Sequence, residues 1–594
     1  MSSDRRAAVT SITPRESEGC APDLSLGPGA AAPDTLPAVP KPDQPPNHSG
    51  PPRPAAVRPT PLAEVAEALG PEAAGAAPPT AGAEVTGITH DSRAVRPGDL
   101  YVAFGGANHH GAAFAAQAVA SGAVAVLTDP AGAELAADCG VPLLVVDDVR
   151  ARMGALAAAV YGHPAERLLT VGVTGTSGKT TTSYLLEGGL RGAGRTPGVI
   201  GTVEMRVGAE RIKSRHTTPE ATDLHAILAV MREQGADAVA MEVSSHALAF
   251  GRVDGVVYDV AVFLNLSPEH LDFHPDMEDY FQAKAQLFTE RRARRGVVNL
   301  DDPYGRRLAA EAGIPVVTFS ATGDPAADWR AEAVHLGPAD STFRVVGPDG
   351  AAADASVPLP GPFNVANALA AIAALATAGL PLADAVAGLA EVPGVPGRME
   401  RVDAGQPYLA VVDYAHKPDA LRAVLESLRQ VTKGRLHVVV GCGGDRDPHK
   451  RGPMGAIAAR LADTAVLTSD NPRSEDPLAI LAAMLGGAVE VPEAERGTVL
   501  VVPYRAEAIA AAVDRAHAGD SVLVAGKGHE LGQYVRDEVR PFDDREELRE
   551  AILRSRFGDG GRDAAESRRC PTIDAEAAAQ EPRPAGAGAA DSKE

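Results

Sequence analysis

The segment Leu168 to Thr182, LLTVGVTGTSGKTTT, constrains this chain more than any other. An apolar run, a glycine-rich loop and the start of a helix, TSYLLEGGLRGAG, follow one another without a gap. Val and Leu in a short uninterrupted run suit a strand buried on both faces. In the loop that follows, Gly175, Thr176, Ser177 and Gly178 turn backbone amides towards one point, and the N-terminus of the next helix adds to the same anion-favouring field. Lys179 is placed to bridge the β and γ phosphates of a nucleotide, Thr180 to ligate Mg²⁺, and Thr181 to continue the cradle. A strict Walker A spacing has Gly where this chain has Val173, with Gly172 and Gly175 to either side. Such a unit demands a parallel sheet with helices packed on it, but it leaves kinase, GTPase and ligase equally open.

With 594 residues, the chain exceeds the roughly 250–300 at which one core stops growing, and three domains are expected. The runs DAVAMEVS, VAVFLNLS, RGVVNLDD, LHVVVGCGG and DSVLVAGKG alternate with helical patterns, which predicts βαβ units and largely parallel sheets. Ligands of such sheets bind at the carboxyl ends of the strands, where the polar motifs of this chain fall. Thirteen of the 48 prolines lie in the first 60 residues, so residues 1–58 are expected to form a disordered tail, as is the Gly/Ala/Pro-rich end at 558–594. Breaks near Pro164 and at EVPGVPGR, Glu391 to Arg398, divide the rest into 59–165, 166–395 and 396–557.

Charge and cysteine usage narrow the function classes. The formal charge of 56 − 78 = −22 repels nucleic acid and anionic membrane, so no nucleic-acid partner is expected and phosphates must be held by local groups. Cys20, Cys139, Cys442 and Cys570 are scattered, which suits a reducing, cytoplasmic compartment. No apolar run of secretory length opens the chain. The most apolar stretch, Ala368 to Leu382, is too short to span a bilayer, so a buried helix and no membrane insertion are expected.

Downstream of the loop, Glu242 in MEVSSHAL and His270 in NLSPEHLDFH each end a strand-like run and could hold a metal ion beside phosphates. A solvated loop residue is the plainer reading of each alone. Taken together, GTSGKTT, MEVSSHAL, NLSPEHLDFH and the AKAQLF around Lys284 resemble the central domain of the Mur ligases. The resemblance implies an enzyme that uses ATP and Mg²⁺ to phosphorylate a substrate carboxylate, which an amine then attacks. It implies a metal set of Thr180, Glu242, His270 and Lys284, the last as a carbamate (N6-carboxylysine). Turning an ammonium into an anion removes its repulsion from two metal ions. Asn299 and Asp302 match the family's adenosine-side positions, although a simple turn reads equally well.

The two ends point to the family member that adds the third peptide residue. ITHDSRAVRPGDLYVAFGG is similar to its UDP-binding domain, and implies contacts to the uridine diphosphate from Ser92, with Arg93, and from Asn108 and His109. Here Asn108, His109 and His110 precede Gly111 where the family often has Asp. Thr217, Thr218, Ser244 and Arg252 match positions that hold a UDP-linked muramoyl dipeptide, with Phe250 where glutamine is common. In the C-terminal part, Asp470, Asn471, Pro472 and Arg473 spell DNPR, which in this family marks acceptance of diaminopimelate. That amine differs from lysine by a second carboxylate, and a guanidinium binds a carboxylate through two parallel hydrogen bonds. Arg446, the Gly526 carbonyl and Glu530 are expected to complete the site.

The expected fold is therefore α/β in three domains, with a central P-loop ATPase-type parallel sheet and a Rossmann-like C-terminal domain. The expected protein is a cytoplasmic monomer acting on small-molecule substrates. A lysine-adding relative, a folate polyglutamate-type ligase and a catalytically silent nucleotide-binding regulator stand as alternatives.

Overall fold

The computed structural model describes residues 50–70, 82–106, 108–207, 210–213, 216–557 and 573–574. Most of both expected tails, with Cys20 and Cys570, lies outside the described residues. The first sheet is wholly parallel, with β1 (Gly87–Thr89), β2 (Asp99–Ala103), β3 (Ala125–Thr128) and β4 (Leu143–Val145) in sequential order. Ile88, Leu100 and Leu127 pack on Met153 and Leu156 of α1 (Val149–Val160). Tyr101, Ala103 and Val126 pack on Ala112, Ala115 and Ala118 on the other face. With both faces covered, β1, β2 and β3 are buried along their whole length.

The expected tail does not run to residue 58. Arg53 Nη1 donates to both oxygens of Asp99 at 2.7 and 2.6 Å, with side chains 7% and 3% exposed. The amides of Ala55 and Ala56 donate to Glu233. A buried charge-assisted contact outweighs the ordering entropy that the proline-rich composition suggested. Arg53→Ala would leave Asp99 buried without its cation, and is expected to destabilise the fold by about 3–5 kcal/mol. Thermal denaturation checks this, and an unchanged Tm would count against it.

The second sheet runs from residue 169 to 357. Its strands are β5 (Leu169–Thr174), β6 (Pro197–Ile200), β7 (Glu204–Val207), β8 (Glu210–Lys213), β9 (Ala238–Glu242), β10 (Val260–Phe263), β11 (Gly296–Asn299), β12 (Val316–Ser320), β13 (Trp329–Leu336), β14 (Ser341–Val346) and β15 (Ala352–Val357). The order is β8-β7-β6-β9-β5-β10-β11-β12-β13-β14-β15. Neighbours from β6 to β13 are parallel, whereas β7, β8, β14 and β15 add antiparallel edges. The sheet is thus parallel only in its middle. β5 lies there between β9 and β10, so the loops after all three emerge together. They are flanked by α2 (Lys179–Gly192), α3 (Ala221–Glu233), α4 (Met277–Ala285) and α5 (Pro362–Thr377). Ala368 to Leu375 of α5 are fully buried. The expected single buried helix to Leu382 instead ends at Thr377, since Gly379 and Pro381 interrupt it and Leu382 opens a new helix. No helix among the described residues is long and apolar enough to cross a membrane.

The third sheet has the order β16 (Glu400–Arg401), β17 (Leu409–Asp413), β21 (Ser521–Ala525), β18 (Leu436–Val440), β19 (Thr464–Leu467), β20 (Thr498–Val501), β24 (Ile573–Asp574). All but its two edge strands are parallel. A separate hairpin, β22 (Gly532–Val535) with β23 (Glu538–Pro541), follows β21, and α6 (Pro418–Val431) follows β17. The expected breaks near Pro164 and Pro393 to Pro396 fall between the sheets.

Candidate active site

The phosphate loop is held open by glycine geometry. Gly178 has φ 89°, and a Cβ there would overlap Asn367 Oδ1, so only glycine fits the turn into α2. Asn265, after β10, accepts from the Ser177 amide at 2.9 Å and donates to its carbonyl at 3.1 Å. Thr176 Oγ1 accepts from the Ser267 amide at 3.0 Å and pairs with Tyr280 Oη at 3.1 Å. Lys179 Nζ folds back to the Gly175 and Thr176 carbonyls, 2.7 and 3.1 Å. Lys284, on α4, donates to the Gly175 carbonyl at 3.1 Å. Burial, with repulsion from Lys179 second, holds the Lys284 amine well below the ordinary lysine range. Burial lowers Lys179 as well, against the pull of Glu242 and Glu269.

A cleft of about 540 Å³ opens over this loop and is walled on its far side by the C-terminal sheet. Thr176 to Thr181, Thr217, Glu242, Ser244, His270, Asn299 and Asp302 line it, so the structure brings these sequence-predicted residues together. Glu242 is buried and accepts from the Thr202 amide and hydroxyl at 2.8 and 2.9 Å. Thr218 Oγ1 donates to the Glu242 carbonyl at 2.9 Å, and Arg252 Nε donates to Glu220 at 2.8 Å. Asn299 Nδ2 donates to the Leu264 carbonyl at 2.8 Å, while Asp302 accepts from the Leu266 and Tyr304 amides. Burial keeps the Asp302 carboxyl above its ordinary range in spite of those amides. Lys284 does not line the cleft and reaches it through Gly175.

His270 adopts φ 57°, its ring set edge-on to His246 at 4.7 Å. Burial drops its pKa to about 4. Thr180, Glu242 and His270 therefore offer a metal ion one hydroxyl, one carboxylate and one neutral imidazole. No group of three or more His, Cys, Asp or Glu suited to a metal occurs among the described residues. So sparse a set fits Mg²⁺, which keeps waters and takes substrate phosphate oxygens.

Sequence reasoning missed the residues that face the loop from elsewhere. Arg398, in GRMERV, donates from Nη2 to Thr180 Oγ1 at 3.3 Å and lies 4.4 Å over the Tyr414 ring. Lys417 pairs with Glu269 and reaches the Thr176 carbonyl at 3.4 Å. Lys417 follows β17 in the sequence VVDYAHKPD, where nothing local singles out the lysine. Burial alone would raise Glu269; Lys417 first, then His270, His416 and Lys179, outweigh it and draw the carboxyl down to about 2. Burial brings Lys417 down to about 8, opposed by Glu269.

Burial likewise lowers His416 from 6.5 to about 3. As pH falls, the unfolded chain takes up this proton first. The stability that neutral His416 contributes is full above about 6.5 and is lost as pH falls towards 3. His416→Asn is expected to flatten the slope of Tm against pH between about 6.5 and 4, and an unchanged slope would contradict the assignment.

The DNPR segment follows β19 and forms a second cluster beside the cleft. Arg473 takes φ 51°, held by its amide donating to the Tyr534 carbonyl at 3.0 Å and its carbonyl accepting from Arg536 at 2.7 Å. Its Nη1 donates to the Gly444 carbonyl at 2.6 Å. Buried Lys527 donates to Asn471 Oδ1 and Glu530 Oε2, both at 2.9 Å, and Asn471 Nδ2 donates to Glu530 at 2.8 Å. Asp470 lies against Gly526, whose amide donates to the Asp413 carbonyl at 3.0 Å. Arg446 is exposed, and flanks Gly443 together with Arg473. Tyr414, a cleft residue, packs 5.1 Å from the ring of His529 and so joins cleft to cluster. Ser92, buried, and Asn108 and His109, exposed, follow strands of the first sheet and are not among the residues lining the cleft.

Comparison with known proteins places this geometry. Three family models match: Mur ligase family, catalytic domain, over residues 84–161, Mur ligase middle domain over 173–375, and Mur ligase, glutamate ligase domain, over 397–528. The chain is 69% identical over 505 residues to the UDP-N-acetylmuramoyl-L-alanyl-D-glutamate--2,6-diaminopimelate ligase of Streptomyces avermitilis, covering 85% of this chain and 99% of that one. It is 68% identical over 508 residues to the Streptomyces coelicolor protein of the same name, covering 86% and 99%. A solved structure of a ligase so named matches with TM-score 0.58 at 35% identity, over 80% of this chain and 96% of that chain.

Proposed function

The chain belongs to the Mur ligase family, and from that membership we propose that it joins diaminopimelate to UDP-N-acetylmuramoyl-L-alanyl-D-glutamate at the expense of ATP, a step in peptidoglycan precursor synthesis. The observation that carries this reading is a single cleft whose one wall is the phosphate loop and whose other wall leads, through Tyr414, to the DNPR cluster.

The three expected domains share the substrates: the UDP-linked dipeptide spans the first and second, ATP sits on the second and diaminopimelate on the third. Ser92, Asn108 and His109 take the uridine diphosphate, and Thr217, Thr218, Ser244 and Arg252 hold the dipeptide with its D-glutamate γ-carboxylate towards the cleft. Gly175 to Thr181 cradle the ATP phosphates, and Asn299 and Asp302 border the adenosine. Arg473 and Arg446 pair with the distal carboxylate of diaminopimelate, while Glu530 and the Gly526 carbonyl accept from its distal ammonium; Asp470, Asn471 and Pro472 shape that pocket. Thr180, Glu242, His270 and carbamylated Lys284 would hold Mg²⁺, which supplies positive charge to phosphate oxygens. The unprotonated amine that burial favours at Lys284 is the form that combines with carbon dioxide.

In the first step a γ-carboxylate oxygen forms a bond to the γ-phosphorus as the bond to the bridging oxygen breaks, and its electron pair leaves with ADP. Lys179 faces the oxygens that gain charge. The neutral amine of diaminopimelate then attacks the acyl carbon, the bond from that carbon to the phosphate oxygen breaks as the tetrahedral adduct collapses, and inorganic phosphate departs carrying the proton the amine gives up. Bringing the γ-phosphate, the γ-carboxylate and the amine together at this cleft supplies the proximity such a sequence needs. The working unit is proposed to be a cytoplasmic monomer.

Purified protein should release phosphate when ATP, the UDP-linked dipeptide and diaminopimelate are all present, with a tripeptide product by mass spectrometry. Release without the dipeptide, or equally fast incorporation of L-lysine, would overturn the assignment.

A further inference from the structure

Three lysines from separate elements meet at two carbonyl oxygens of the phosphate loop. Lys179 donates to both Gly175 and Thr176, Lys284 to Gly175, and Lys417 to Thr176. Lys179 and Lys284 belong to the central sheet and its helices, but Lys417 crosses the cleft from the C-terminal sheet. It occupies the N-cap of α6, so the positive end of a 14-residue helix stands behind it. Its counter-ion, Glu269, lies on the central side in the loop after β10, and the two side chains are only 14% and 17% exposed. An ammonium resting on a backbone carbonyl beside a phosphate cradle has a far better acceptor available once phosphate oxygens arrive.

We infer that Lys417 is a catalytic residue that the C-terminal domain delivers to the γ-phosphoryl group, with Glu269 as the residue that positions it until nucleotide is bound. The inference rests on the ligase reading above. During transfer from the bridging oxygen to the γ-carboxylate no proton moves at Lys417. It stays an ammonium and adds one positive charge where the equatorial oxygens of the loose transition state need it, a role akin to an arginine finger supplied in cis. Because the charge comes from the domain assigned to the amine, acyl phosphate forms only when that domain is in place to use it. The acyl phosphate is thereby spared from water.

The test uses the full chain. In Lys417→Met, kcat for phosphate release dependent on dipeptide and diaminopimelate should fall about 10²-fold. The Kd for ADP should stay within about twofold, and the Kd for the β,γ-imido analogue of ATP should rise about tenfold, because ADP lacks the γ-phosphate that Lys417 touches. Lys417→Arg keeps the charge and should recover kcat to within about tenfold of the parent. Glu269→Gln should lower kcat while leaving analogue affinity unchanged or tighter. A kcat for Lys417→Met within threefold of the parent, equal weakening of ADP and analogue, or no recovery in a folded Lys417→Arg protein would overturn the inference. A parent that binds the analogue yet releases no phosphate refutes the ligase reading instead, and the comparison of ADP with analogue still decides the role of Lys417.

Discussion

Lys179→Met is expected to lower phosphate release by about 10²–10³-fold while the protein stays folded. Methionine nearly matches the length of lysine and is at home in a buried site, so the two hydrogen bonds to Gly175 and Thr176 are lost without a large change of volume. What disappears is the cation that meets the β and γ phosphates. Neither neighbour replaces it: Lys284, proposed as a carbamate, brings no positive charge, and Lys417 comes from the opposite wall of the cleft to the γ-phosphoryl group alone. Steady-state phosphate release with all substrates, beside a melting curve of the same preparation, is the measurement. Activity within tenfold of the parent would mean that the loop is not the phosphate cradle.

Arg473→Ala is expected to cut kcat/KM for diaminopimelate about 10²-fold, from about 2–5 kcal/mol for removing one partner of a hydrogen-bonded charge pair. KM for ATP should not move, because the loop and Arg473 sit at the ends of different sheets. The hairpin β22–β23 holds Arg473 by its main chain, and Gln533 and Tyr534 hold the Asp470 carbonyl and the Asn471 side chain at 2.6 and 3.0 Å. The segment therefore keeps its course when the guanidinium is removed. L-lysine has no distal carboxylate to lose, so preference for diaminopimelate over lysine should narrow by nearly the same factor. A parallel loss with both amines would show that Arg473 acts on structure and not on selection.

The parts of this molecule that were legible in its sequence are those where chemistry and secondary structure are encoded side by side. The phosphate loop lies within one strand–turn–helix unit, so Gly175, Gly178 and Lys179 declare themselves locally. The buried part of α5 from Ala368 to Leu375 was equally readable, from its apolar run, although the expected stretch ran on to Leu382 and the helix ends at Thr377. The antiparallel edges were not read in advance, although β13 to β15 do alternate in burial, because their alternation is interrupted by Gly337, Gly347 and Gly350 and by an irregular register between Glu332 and His335. The packing of Arg53 escaped for a different reason: its partner Asp99 is 46 residues away, and composition averages over such contacts. Glu269, Arg398 and Lys417 belong to the same class. Each is an ordinary charged residue in sequence, and the fold alone makes them neighbours of the loop.

The dependence of the phosphate loop on Asn367 has a consequence for how the protein is made. Asn367 is the group against which Gly178 turns, and it accepts from Thr182, 185 residues earlier in the chain. At about 5–20 residues per second, a ribosome needs on the order of 10–40 s to travel that distance. Throughout that interval the emerging polypeptide carries the phosphate loop without its supporting wall. The turn at Gly178 therefore gains its backing only after α5 has cleared the exit tunnel, late in the synthesis of the central sheet.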